Sequence, residues 1–196
     1  MAFNAYLVFH EKSGIKGESS SLPAGGDVKP NVAIEVQDYG FGVSMPVTTS
    51  RSDGGGATVG RANFDVFTAT KGIDTATTEL VKYCCKGTNI PRILLHLYRA
   101  GDDAASGTVK YAEVVFDHCV ITKVAISGSG EELPKESMEF NYGKCEYVYL
   151  KTDHATGKPA QGAVPVHFGW STIKNMAEYP LQADFGKFMP EEPKES

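Results

Sequence analysis

The chain has 196 residues, enough for one domain with a full core and short for two. Its composition, 41% hydrophobic and 22% charged, is that of an ordinary globular protein. A net charge of −5 and the lack of any apolar run of membrane-spanning length argue against nucleic acid or a membrane as partner.

Phe3 to His10 alternates, with Phe3, Ala5, Leu7 and Phe9 on one side, and predicts a half-buried strand. With no basic residues ahead of it, this stretch is not expected to be a secretory signal. Lys12 to Gly17 turns, and Gly17 to Pro30 is loop by composition. Val32 to Val43 predicts one strand with Tyr39 and Phe41 on one face and Gly40 and Gly42 on the other. Ser44 to Gly60 is a long polar segment carrying Gly54, Gly55 and Gly56 in a row. Such a length points to function, and Val47 to Thr49 facing Ala57 to Val59 would make a protruding hairpin.

Arg61 to Thr70 reads as a strand and Gly72 to Gly87 as the helix, capped by Asp74 or Thr75. Ala76, Leu80, Tyr83 and Cys84 form its apolar stripe, with Val81 beside it, and Gly87 ends it. Pro91 to Arg99 is apolar on both faces, which predicts a central strand with the helix on one face and the core on the other. Val109 to Phe116 and Val120 to Ile126 read as two strands, and Ser127 to Pro134 as a turn. Glu136 to Leu150 alternates with a phase shift near Gly143, where a bulge is expected. Val164 to Trp170 is the last predicted strand, and Lys187 to Ser196 is expected to fray. This order makes the fold mainly β: a single-domain β-barrel of two packed sheets, or a sandwich, with one flanking helix and a long extended loop.

Local catalytic motifs fail on inspection. Gly55 to Arg61 has phosphate-loop glycine spacing, but Arg61 and Ala62 stand where Lys and Ser or Thr belong. Ser129 lacks the preceding glycine of a nucleophile elbow, because position 127 is Ser127. None of the five histidines pairs at helical metal spacing. Cys84, Cys85, Cys119 and Cys145 show no C-x-x-C pattern and read as buried apolar residues. No catalytic residue, cofactor or metal is expected. Strands with two usable faces read either as a somewhat larger core or as a ring closed by heterologous contacts.

Several short stretches stand in a definite order: Ile15-Lys16-Gly17-Glu18-Ser19, Ile34-Glu35-Val36, Tyr39-Gly40-Phe41-Gly42, and Phe67-Thr68 with Lys71 and Asp74. Ile93 to Gly101, Ile126 to Gly130, Pro134 to Tyr142, Phe168-Gly169-Trp170 and Asn175 follow. Their order and spacing resemble the haemolysin-coregulated protein family, the inner-tube subunits of type VI secretion systems. The resemblance spans Ala2 to Asn175, so residues 1–175 are expected to be the barrel domain and 176–196 a partly disordered tail without a counterpart. It implies a six-membered ring, rings stacked into a tube, small secreted effectors in the lumen, a capping spike protein and a contractile sheath. It implies residence in the bacterial cytoplasm until firing and secretion without a signal peptide. Carried over by position, the ring-stacking loop would be Ser44, Met45, Thr48, Thr49, Arg51, Asp53, Gly54, Gly55, Gly56 and Arg61. Val36, Asp38 and Gly40 would face the lumen, with Tyr39 and Phe41 in the barrel. The competing expectations are a monomeric barrel that binds a small ligand and a thiol-dependent enzyme using Cys119 or a histidine.

Overall fold

The structure is a computed structural model that describes residues 3–19, 31–47, 60–100, 108–130, 132–153, 159–181, 185, 190 and 193. Its strands are β1 (Phe3–Phe9), β2 (Ile34–Val36), β3 (Asp38–Gly40), β4 (Val43–Ser44), β5 (Asn63–Phe64) and β6 (Phe67–Gly72), then β7 (Ile90–Ala100), β8 (Thr108–Ser129), β9 (Glu132–Asn141), β10 (Lys144–Tyr149), β11 (Val166–Ser171) and β12 (Met176–Ala177). Among the described residues one α-helix, α1 (Ala76–Lys86), lies between β6 and β7, and a 3-10 turn (Glu11–Ser13) follows β1.

All pairings are antiparallel. β2 pairs with β1, β1 with β7, β7 with β8, β8 with β9, β9 with β6 and β6 with β3. β2 runs on into β3 through Gln37, whose N–H donates to Thr70 O at 2.8 Å. The circuit therefore closes as the expected barrel. A flank of β10, β11 and β12 extends from β8 beyond it.

The predicted strand from Val32 to Val43 is thus three short strands. It changes partner at Gln37, because β1 can be followed only while the barrel wall curves that way. The two strands expected over Val109 to Ile126 are one 22-residue strand, which continues through the expected turn to Ser129. The connection to β9 is short, since Ser129 pairs with Glu132. Across Gly143 the register on β8 is unchanged, with Val120 facing Asn141 and Asp117 facing Lys144; the shifts in β8–β9 pairing lie between Ile121 and Lys123 and between Ser127 and Ser129. The phase shift near Gly143 is therefore a break of two residues on each strand and not a bulge. At that break His118 adopts φ +56°, turning β8 from one part of the wall to the next.

Inside the barrel, Phe67, Phe116, Phe140 and Tyr142 form an aromatic cluster; the Phe67 and Phe140 rings stack at 4.5 Å. α1 adds Ala76 and Leu80 to the same cluster, joined by Ile93, Leu95 and Leu97 of β7. The helix starts later than the sequence predicts because Lys71 and Gly72 still pair with β9. Its first turn is fixed by the Asp74 carboxylate, which accepts from Ala76 N–H at 3.0 Å and from Lys71 Nζ at 2.7 Å. Gly87 ends it in the left-handed conformation, φ +59°.

The other face of β7 is covered without the helix. Leu94 and Tyr98 pack with Tyr6, Val8, Val115 and Leu181. A buried ion pair and a buried histidine–carboxylate contact lie on this face as well, and burial lowers the His96 pKa from its ordinary value. Arg92 grips Asp117 bidentately at 2.5 and 2.8 Å, and His96 Nε2 sits 3.0 Å from Glu113. The helix expected there is replaced by the segment after β11. Val164 to Trp170 is not the last strand either, since β12 follows. Beyond β12, Glu178 N–H donates to Gly169 O, the Lys144 ammonium donates to Glu178, and Leu181 N–H donates to the buried Glu146 carboxylate. A tail that begins at residue 176 thus opens with a strand and a docked strap.

Candidate assembly surfaces

Three surfaces bear on function. The first follows from alternation along β10 and β11. Lys144, Glu146 and Val148 point to the face covered by the strap, so Cys145, Tyr147 and Tyr149 point to the other, opposite Trp170, Phe168 and Val166 of β11. Near β8 this second face joins the barrel core. Further out, barrel residues no longer cover it, and Val164, Val166 and Phe168 are 75%, 62% and 48% exposed. Phe41, Val43 and Phe64 meet Tyr147 and Phe168 there around an apolar groove of about 390 Å³. Exposed apolar side chains clustered in this way mark an interaction surface. The alternation of Val164, Val166 and Phe168 is visible in the sequence. What it lacks is any sign that β11 runs past the barrel.

The second surface is the outer side of β3, β6, β9 and β8. Asp38 lies beside Thr70, Ser137 and Ala125, and Gly40 beside Thr68, Glu139 and Lys123, in two rows across four strands. On β3 and β6 the rows carry only short side chains, and on β8 and β9 they include the longer Lys123 and Glu139. Thr68 donates to Gly40 O, and Lys123 pairs with Glu139 at 2.8 Å. Tyr39, Ala69 and Met138 alternate with them and face the core. Val36 departs from the expected lumen-facing set. It is 5% exposed and packs in the core, because the hand-over at Gln37 breaks the alternation between β2 and β3. Phe41 reaches the barrel edge, within 6.4 Å of the Phe67 ring and 5.9 Å of Phe116.

The third surface is the stem of the long loop. Val43 and Ser44 pair with Phe64 and Asn63, and Gly60 N–H donates to Pro46 O at 3.0 Å. The stem stands on the barrel through Tyr142, whose hydroxyl donates to Asp65 O at 3.0 Å, and through Arg61, which donates to Thr172 O. Ser44, Met45 and Arg61 of the expected stacking set lie on this stem and are exposed. Thr48, Thr49, Arg51, Asp53, Gly54, Gly55 and Gly56 lie outside the described residues.

The thiols are separated by the fold. Cys85 is exposed on α1, whereas Cys119 and Cys145 are buried. Burial pushes the Cys119 thiol well up from its ordinary value and that of Cys145 up to about 11, so both stay protonated at neutral pH and are poor nucleophiles. Among the described residues no helix is long and apolar enough to cross a membrane.

The family described as "Type VI secretion system effector, Hcp" matches residues 6–149. No curated protein matches the chain. Among solved structures, "Structure of a type six secretion system protein" is 26% identical and covers 90% of this chain and 100% of its own, with a TM-score of 0.74. Hcp1 from Salmonella typhimurium is 23% identical over 91% of this chain and 100% of its own, with a TM-score of 0.66. A type VI secretion system effector from Yersinia pestis is 20% identical over 86% and 99%, with a TM-score of 0.58. The last two add the fold alone. The family match covers most of the chain, including the barrel, the helix and β10: the chain belongs to the Hcp family of type VI secretion proteins.

Proposed function

We propose that the chain is a tube subunit whose apolar β10–β11 flank closes a six-membered ring against a neighbouring copy. The exposed apolar side chains of Val164, Val166 and Phe168 carry this reading. They lie on a flank that the barrel does not need, and burying each would contribute about 1.5–3 kcal/mol. A contact of this kind joins two different surfaces, so it closes only as a ring or runs on as a filament.

Rings stack in this account through the Ser44 to Arg61 segment, and Asp38 and Gly40, with Thr68 and Thr70, line the lumen. Short polar side chains there leave room for small secreted effectors and give them little apolar surface to adhere to. A spike protein and a sheath complete the assembly as partners. The protein waits in the bacterial cytoplasm and leaves it inside the machine. No reaction is assigned to it.

The test is the mass of the native protein. Wild type should run as six copies, and the double change Val166→Glu, Phe168→Glu should run as a folded monomer. A wild-type monomer that takes up an apolar ligand in the groove would favour the ligand-binding reading. Bulky residues at Gly54, Gly55 and Gly56 should leave rings intact and impair stacking. Gly40→Trp should impair effector loading while rings form normally.

A further inference from the structure

A cleft of about 610 Å³ lies between the β4–β5 stem, the kink in β8 and the turn after β11. Its polar side chains include Arg61, Asn63, His118, Thr122, Asn141 and Thr172, and among the described residues no Asp or Glu lines it. The Arg61 guanidinium is fixed by Nη2, which donates to Thr172 O and Ile173 O. Its Nε–H and Nη1–H groups have no partner among the described residues. The Arg61 donors are thus held in place before any ligand arrives.

His118 is the second feature. It is exposed and has no hydrogen-bond partner among the described residues. It also holds φ +56°, a conformation unfavourable for a residue with a Cβ. Gly143 makes room for it: a Cβ there would lie 3.2 Å from His118 Cβ and 2.7 Å from Ile173 Cδ1. A glycine at position 118 would serve the kink better. A strained side chain that satisfies no internal need, standing on the wall of a cleft beside a fixed arginine, is an argument for a ligand.

We infer that this cleft is a binding site for a carboxylate. An Arg61 N–H left free by the Nη2 contacts can donate to a carboxylate oxygen, His118 offers a further N–H, and the carboxamides of Asn63 and Asn141 can donate alongside. The carboxylate could belong to a free dicarboxylic acid or to an Asp or Glu of a second copy resting on the stem. The inference does not depend on ring closure.

Succinate serves as the probe, titrated into the full-length protein while the His118 ring resonances are followed by NMR at constant ionic strength. Saturable movement is expected. Arg61→Gln should weaken binding by about tenfold or more, as loss of a charge-assisted pair predicts. His118→Gly should lose binding while melting at or above the wild-type temperature, a combination that a purely structural histidine would not give. Sedimentation in the same titration separates the sources. Loss of self-association on adding succinate identifies a second copy's carboxylate as occupant, and unchanged association identifies a free acid. No saturable movement, or wild-type binding in both variants, overturns the inference.

Discussion

Gly169→Ala tests how the strap is held. Gly169 lies in β11, where its carbonyl accepts from Glu178 N–H at 3.1 Å. A Cβ at this position would lie 2.4 Å from Glu178 O and 2.6 Å from Tyr179 Cβ, both on the strap. Reaching ordinary contact requires the strap to recede by about 1 Å, because the partners are a backbone oxygen and a Cβ, neither of which can turn away by a side-chain rotation. Two contacts then weaken. Leu181 leaves the cluster of Tyr6, Leu94 and Val115, losing burial worth about 1.5–3 kcal/mol. Its N–H also leaves the buried Glu146 carboxylate, a bond to a charged group worth about 1.5–3 kcal/mol. Complete release would remove roughly 3–6 kcal/mol, a large part of the total for a domain of this kind. Denaturant unfolding gives the loss, and hydrogen exchange at the Leu181 amide locates it. Wild-type stability together with wild-type protection at Leu181 would refute the strap as a sealing element.

Other outcomes follow from individual contacts. Asp117→Ala leaves Arg92 buried and uncompensated, and should cost about 3–5 kcal/mol in a urea titration. Leu80→Ala should cost about 2–5 kcal/mol, because that side chain is fully buried where α1 meets the barrel core. Alkaline stability should reflect Cys145. Its thiol pKa is raised from 9.0 to about 11 in the folded protein, so the folded state holds the proton longer. That contribution is complete below pH 9 and is lost as the pH rises through 11, with a slope of up to ~1.4 kcal/mol per pH unit that Cys145→Ala should flatten. Thiol labelling at neutral pH should reach Cys85 quickly and Cys119 only on unfolding.

Much of the barrel is legible in the sequence because its strands are amphipathic. Phe67 to Thr70 alternates as a half-buried wall should, and the Ala76–Leu80 stripe needs a cover; β1, expected to be half-buried, is buried on both faces, because Tyr6 and Val8 pack with Leu94 and Leu181. What fails is continuity. Nothing local tells whether β8 stops at Phe116 or bends at His118, since the bend is a backbone torsion imposed by Gly143 and the barrel's curvature. The same holds at Gln37, where alternation predicts an exposed Val36 and the change of partner buries it. β7 is apolar on both faces, and the sequence places the helix on the face that the strap occupies. Leu181 gives little warning, because a single leucine beyond Pro180 does not say which face it will cover. Of the assembly surfaces, Ser44 and Arg61 can be read from loop length alone. The Val166 and Phe168 face can be recognised only once β11 is seen to project past the barrel.

The most direct test of the account is the native mass of the purified protein, with particle images to accompany it. The account predicts a particle near six times the 21.1 kDa chain mass, ring-shaped with an open centre, that falls to single copies when Val166 and Phe168 are both changed to Glu. A folded monomer in the wild type, or a ring that survives the double change, would contradict it.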